Sequence, residues 1–360
     1  MNKEFIIIDP RPLEAFKDKT FSDFKKRDVM NTLMKTIESG KIEEACYWCT
    51  ECIVSGYSQE LFEKLILYNS KITHINNPKL PAFLWRRYLT FLSSFDHISK
   101  KKRDQLIHLR NTQSVRNCLF DLVTTITSSP RQKRFDKYPR VTDNDFQYSV
   151  IQSKLQATMQ ILPSYIIKFT DPEELRIIMN EFFFHLKNIN GGYENACYWV
   201  AWLVQWEKMN KNKKIKFEIE VRNISEVNPK YCKDCIWLLW EIIFAECNER
   251  SEDIKIQVQS LYRFFRYEYT SVKRNMRLPL IYHAIGYLTF PVRFNIPIRK
   301  DKNILLQTQC NINLMFKGKK SNEVKSYTPP PEKVKKITGL EKEISLSKFS
   351  TLMDIDELTR

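Results

Sequence analysis

Seven glycines must serve every turn in this 360-residue chain. β-Hairpins, tight turns and phosphate-cradling loops all consume glycine, because it enters left-handed backbone without a steric cost. A chain so poor in it, and rich in leucine, isoleucine and lysine, is expected to be mainly α. Its hydrophobic fraction of 43% can supply a core, and its length allows two domains.

Three of the seven glycines mark an internal repeat. GKIEEACYW at 40–48 returns 151 positions later as GGYENACYW at 191–199. After each copy begins, apolar residues recur at i, i+3, i+4, i+7 and i+8. The first set is Ala45, Trp48, Cys49, Cys52 and Ile53; the second is Ala196, Trp199, Val200, Leu203 and Val204. This spacing places each set on one stripe of an α-helix, with alanine the small residue that permits close approach. Ala45, Trp48, Ala196 and Trp199 are therefore the expected core of a partly repeated helical bundle.

The remaining periodicity predicts an N-terminal arm at 1–28, a helical domain at 29–127, a basic linker loop at 128–144 and a second helical domain at 145–316. Within them, Ser58 reads as a helix N-cap, and 145–161 and 171–188 as helices. Ile215, Phe217, Ile219 and Val221 alternate with charges, so a minor β element or an extended crossing is expected near 215–222. Residues 302–316 read as helix. The stretch 317–360 turns lysine- and proline-rich and ends in LSKFSTLMDIDELTR; it is expected to be a disordered linker followed by an acidic-apolar tail.

No motif for chemistry emerges. The nearest approach to a P-loop, Gly318-Lys319-Lys320-Ser321, lacks the upstream glycine and the preceding strand. None of the five histidines stands at ligand spacing from another. Cys46, Cys49, Cys232 and Cys235 have thiolate-ligand spacing, but they fall in apolar helical phase and read as small core residues. No metal and no cofactor are expected, and the chain reads as a non-enzyme. The N-terminus has no apolar h-region and no run is long enough to span a bilayer, so an intracellular, reduced protein away from the membrane is expected.

The formal charge of +16 asks for an anionic partner. Residues 99–140 concentrate it, with eleven Lys/Arg against three Asp/Glu. Lys100, Lys101, Lys102, Arg103, Arg131, Lys133 and Arg134, beside the two-proline loop, are the candidate contacts to a phosphate backbone, of DNA or RNA, without sequence preference.

TFSDFKKRDV at 20–29, KIEEACYW at 41–48, INNPKLP at 75–81, RNTQSVRN at 110–117, DPEEL at 171–175, NACYW at 195–199 and KDCIWLLWE at 233–241 carry a resemblance. Together they resemble a helical protein family, without an assigned activity, of nucleocytoplasmic large DNA viruses of the chlorovirus and mimivirus type. Residues 44–80 are also similar to the C-terminal oligomerisation domain of MgsA/WRNIP-type clamp-loader-like ATPases. Glu44-Ala45, Tyr47-Trp48, Gly56 and Pro78 hold the matching places, and the ATPase module itself is missing. The first resemblance implies a role in infected cells, in host cytoplasm, viral factory or virion; the second implies homo-oligomerisation. The expectation is a scaffold or adaptor of viral replication or transcription machinery that meets other viral proteins, in part through its C-terminal tail. A virion structural, assembly or packaging protein is the alternative, and an enzyme without a sequence signature stands third.

Overall fold

A computed structural model describes residues 3–94, 103–131, 138–215, 217–299, 301 and 303–329. Twelve α-helices lie among them: α1 Lys26–Ser39, α2 Ile42–Val54, α3 Ser58–Tyr68, α4 Leu80–Ser93, α5 Gln113–Thr127 and α6 Tyr148–Lys154, then α7 Glu174–Lys187, α8 Tyr193–Asn212, α9 Ile236–Cys247, α10 Glu252–Arg266, α11 Ser271–Thr289 and α12 Asn303–Lys319. The described residues hold no strand, only an isolated bridge between Lys19 and Lys25. The fold is mainly α, as glycine scarcity requires. Six residues other than glycine take left-handed φ to make its turns: Asp23, His74, Asn190, Lys214, Glu226 and Glu268.

Each ACYW helix is the second arm of a helical hairpin, α1–α2 and α7–α8. Gly40 closes the first at φ +76, its N–H reaching Ile37 O and the Lys41 N–H reaching Thr36 O. That is a Schellman stop, which favours glycine at this position. At the second hairpin a Cβ on Gly192 would stand 1.8 Å from His185 O, so the close backbone approach itself demands glycine. Ala45 and Ala196 are both fully buried. The aromatic partners differ. Trp199 is buried, whereas Trp48, expected in the core, is only partly so and lies edge-on to Phe24 of the arm, 5.6 Å between centroids. α8 is flanked by α7, α9 and α11, while only the arm covers the flank of α2 that carries Trp48.

One hydrophobic core runs from Ile7 to Phe316 through both groups of helices. α4 packs on α10, with the Ala82 N–H on Gln257 Oε1 at 2.9 Å. α11 packs on a π-helical turn, Asn69–Thr73, which ends at His74. There the His74 and His283 rings stack at 4.4 Å, fully buried, with His283 Nδ1 3.2 Å from Ser70 Oγ. α12 does not stay with the helices that precede it: it crosses back to lie on α2 and α5.

Several local expectations need correction. Tyr57, not Ser58, occupies the N-cap of α3, and Ser58 is its first helical residue. The helix expected over 145–161 is reduced to α6. Side chains of α7 take the backbone beyond it: Glu181 accepts the N–H groups of Gln156 and Ala157, and Asn180 those of Ile161 and Leu162. The segment near 215–222 is an extended crossing rather than a strand, tied by Ile219 N to Lys233 O and by Arg222 N to Cys232 O. Residues 317–329, assigned to a disordered linker, instead finish α12 and return to the arm. Lys319 pairs with Glu51 at 2.7 Å, both buried, and Val324 N donates to Asp9 Oδ2. Residues 330–360, including the expected tail, lie outside the described residues.

Candidate functional site: a lysine-lined cleft

Of the seven expected phosphate-binding side chains, only that of Arg131 falls among the described residues. Lys100, Lys101, Lys102, Lys133 and Arg134 lie outside the described residues; Arg103 begins a 3-10 turn, Arg103–Asn111. Arg131 has another task. Its guanidinium donates to Glu38 O at the end of α1 and to Thr127 O at the end of α5, 2.8 Å away in the second case. A cation on two helix C-termini is favourably placed against both dipoles, and one donor from each terminal nitrogen is engaged there. The basic tail is likewise engaged: Lys317 pairs with Glu4, and Lys320 donates to Ile6 O at 2.8 Å.

The four cysteines at ligand spacing are core. Cys46 and Cys49 lie buried in α2, and Cys232 and Cys235 are buried just before α9. Burial pushes the thiol of Cys46 up to about 12 and raises those of Cys49 and Cys235. Among the described residues no three His, Cys, Asp or Glu side chains are grouped to hold a metal ion.

Positive charge collects elsewhere, around a cleft of ≈ 910 Å³ between the end of α8, the 215–218 crossing, the turn before α9 and the start of α11. Lys208 and Lys211 line it from the last turns of α8, Lys230 and Lys233 from the turn 229–233. The local fold explains their presentation. α8 ends in a Schellman-type turn, Lys214 N on Lys211 O and Ile215 N on Asn210 O, with Lys214 left-handed at φ +59. Chain reversal there brings Ile215 and Phe217 to the cleft wall. On the opposite wall stand Ser271, Val272 and Asn275 of the first turns of α11, whose N-terminal dipole end favours anions. Of these lysines, Lys233 reaches Glu218 at 3.4 Å and Lys230 lies 4.7 Å over the Tyr231 ring.

The same cleft is lined by a partly buried ionic node. Arg274 Nη1 binds Glu207 Oε2 at 2.8 Å and Asp234 Oδ1 at 2.7 Å, and Tyr269 OH donates to Asp234 Oδ2 at 2.5 Å. Burial lifts the Glu207 carboxyl to about 7; Arg274 opposes the shift and Asp234 adds to it. Asp234 and Glu207 keep Arg274 charged against its burial. The lining thus sets four lysines and Arg274 against Glu207, Glu218 and Asp234, and a proton on Glu207 makes it more favourable to anions.

Sequence reading missed this site because its lysines come from two separated segments, the end of α8 and the turn 229–233. The signal it left was NKNKKIK at 210–216, which the alternation of Ile215, Phe217 and Ile219 turned into a strand question. Among the described residues no helix is long and apolar enough to cross a membrane. Scans against protein-family models, curated proteins and solved structures found no match for this chain.

Proposed function

We propose that this protein is a non-enzymatic helical scaffold of a large DNA virus that holds DNA or RNA through its phosphate backbone. It would serve the replication or transcription machinery. The observation that carries this reading is the cleft lined by Lys208, Lys211, Lys230 and Lys233 beside the N-terminus of α11. Point-charge lysines without a groove-reading helix suit sequence-independent contact. The viral setting rests on the resemblance carried by the segments from 20 to 241.

The test is fluorescence anisotropy with labelled single- and double-stranded DNA and RNA across a salt series. Affinity should fall with a log–log slope of about 0.9 per phosphate contacted on duplex DNA. Lys208→Glu/Lys211→Glu/Lys230→Glu should weaken binding alike on all sequences, with unchanged helical circular dichroism. Lys101→Glu/Arg103→Glu/Lys133→Glu/Arg134→Glu is the parallel arm for the segment 99–140. Because Glu207 gains its proton near pH 7, binding should strengthen from pH 8 to pH 6, and Glu207→Gln should remove that dependence. Equal loss from the second variant and none from the first would move the interface to 99–140.

A second reading has its own support. Tyr165 and Phe169 stand exposed, Phe169 completely, on a loop held rigid by the buried Asp171–Arg222 pair at 2.6 Å. A pinned aromatic pair is a protein-binding feature and favours the virion or assembly role. No binding of any nucleic acid at low salt would put that reading first.

A further inference from the structure

α3, α4, α10 and α11 leave a second cavity, ≈ 290 Å³, where the first and second helical groups meet. Its body is apolar: Ile66 and Leu67 from α3, Phe264 from α10, Met276 and Leu280 from α11. Met276 stands at an exposed edge, so the cavity communicates with solvent. Glu60, Lys64, Tyr88 and Tyr267 also line it, Glu60 being paired with Lys26 at 2.6 Å, and three further charged groups, those of Glu63, Lys273 and Arg277, meet in one place. Arg277, nine-tenths buried, donates through Nη1 to the carbonyls of Phe265 and Tyr267, which fixes the guanidinium. Its Nη2 has Glu63 Oε1 at 3.8 Å, and Lys273 Nζ has the same oxygen at 3.9 Å. Both separations exceed hydrogen-bond length. Lys273 finds its closer partner outside, in Glu268 at 2.9 Å. Two cations thus share one carboxylate oxygen that bonds neither, at the end of an apolar chamber. A buried guanidinium is costly unless its donors are met, and a bidentate carboxylate meets them best.

We propose that this cavity binds a small amphipathic carboxylate. Its apolar body would lie between Leu67, Phe264 and Leu280, and its carboxylate would bridge Arg277 Nη2 and Lys273 in place of Glu63. The volume sits at the small end of ligand pockets, about 300–1,000 Å³, which suits a medium-chain acid better than a nucleotide. The chamber is separate from the lysine-lined cleft, and the inference stands whether or not that cleft binds nucleic acid.

The test titrates the full chain with octanoate, reading the Met276 methyl resonance and the melting temperature, with octan-1-ol and octylamine as matched neutral and cationic probes. Octanoate should saturate with a Kd below about 1 mM and octylamine should not bind. Glu63→Gln, which removes the resident carboxylate from a partly exposed position, should tighten octanoate by about tenfold. Lys273→Gln should loosen octanoate and leave octan-1-ol unaffected. Leu67→Trp should fill the chamber and abolish both while cooperative melting persists; if that variant does not fold, the Glu63 and Lys273 variants decide alone. Octylamine binding as well as octanoate, weaker octanoate binding in Glu63→Gln, or no saturation in either protein would overturn the proposal.

Discussion

At the scale of single residues, His74 and His283 show how much depends on where a side chain is buried. Burial holds His74 neutral, with its pKa lowered to about 3, and lowers that of His283 well below the ordinary value; the His74 ring also disfavours charge on His283. The unfolded chain takes up protons near pH 6.5, so the pair's contribution is intact above that value and declines as pH falls towards 3. The expected slope is about 1.4 kcal/mol per pH unit for each histidine. Glu207 acts in the opposite sense, since its raised pKa lets the native state bind a proton first as pH drops from 7. A difference measurement isolates the histidines: urea denaturation of wild type and His283→Phe between pH 7 and pH 5. The wild type should lose the greater stability, and parallel curves would remove His283 from the account. None of this was legible in the sequence, where His74 and His283 stand 209 positions apart and neither lies near another ionisable motif.

At the scale of elements, the repeat was legible because it is local: nine residues fix the hairpin turn, the helix phase and the small residue at the crossing. Ala45 and Ala196 have no exposed surface, so Ala45→Leu or Ala196→Leu should each overpack a hairpin and cost about 1–3 kcal/mol. Unchanged thermal melting in both variants would refute equivalent crossings. What the pattern could not supply was the environment on the other faces. Thr50 and Glu51 look like the polar side of α2, yet both are fully buried because α12 lies over them. Trp48 fits the apolar stripe and is only partly buried for the complementary reason. The same limit applies to the site: hydrophobic period places Lys208 and Lys211 on a solvated helix face, but only the return of the chain at Lys214 makes that face one wall of a cleft.

At the scale of the whole molecule, α12 returns to the N-terminal arm and the first helices. Its Lys319 meets Glu51 beneath Tyr47, and Glu51 also accepts the N–H and hydroxyl of Ser22 from the arm. Phe316 lies 3.5 Å from the Arg116 guanidinium, itself buried and bonded to Arg110 O and Phe5 O. Removing one ion of a buried pair costs more than removing both. Lys319→Met should therefore lose about 3 kcal/mol, and Glu51→Gln/Lys319→Met should recover part of that loss; equal denaturation midpoints for wild type and Lys319→Met would refute a stabilising pair. The crossing of α12 also sets a clock on synthesis. A ribosome adds about 5–20 residues per second, so roughly 9–35 s pass between completion of α5 at Thr127 and the first residue of α12 at Asn303. Throughout that interval Arg116, Glu51 and Phe120 lack the helix that covers them in the finished protein. The nascent first half thus waits for its own late helix, a long-range contact of the kind that slows folding.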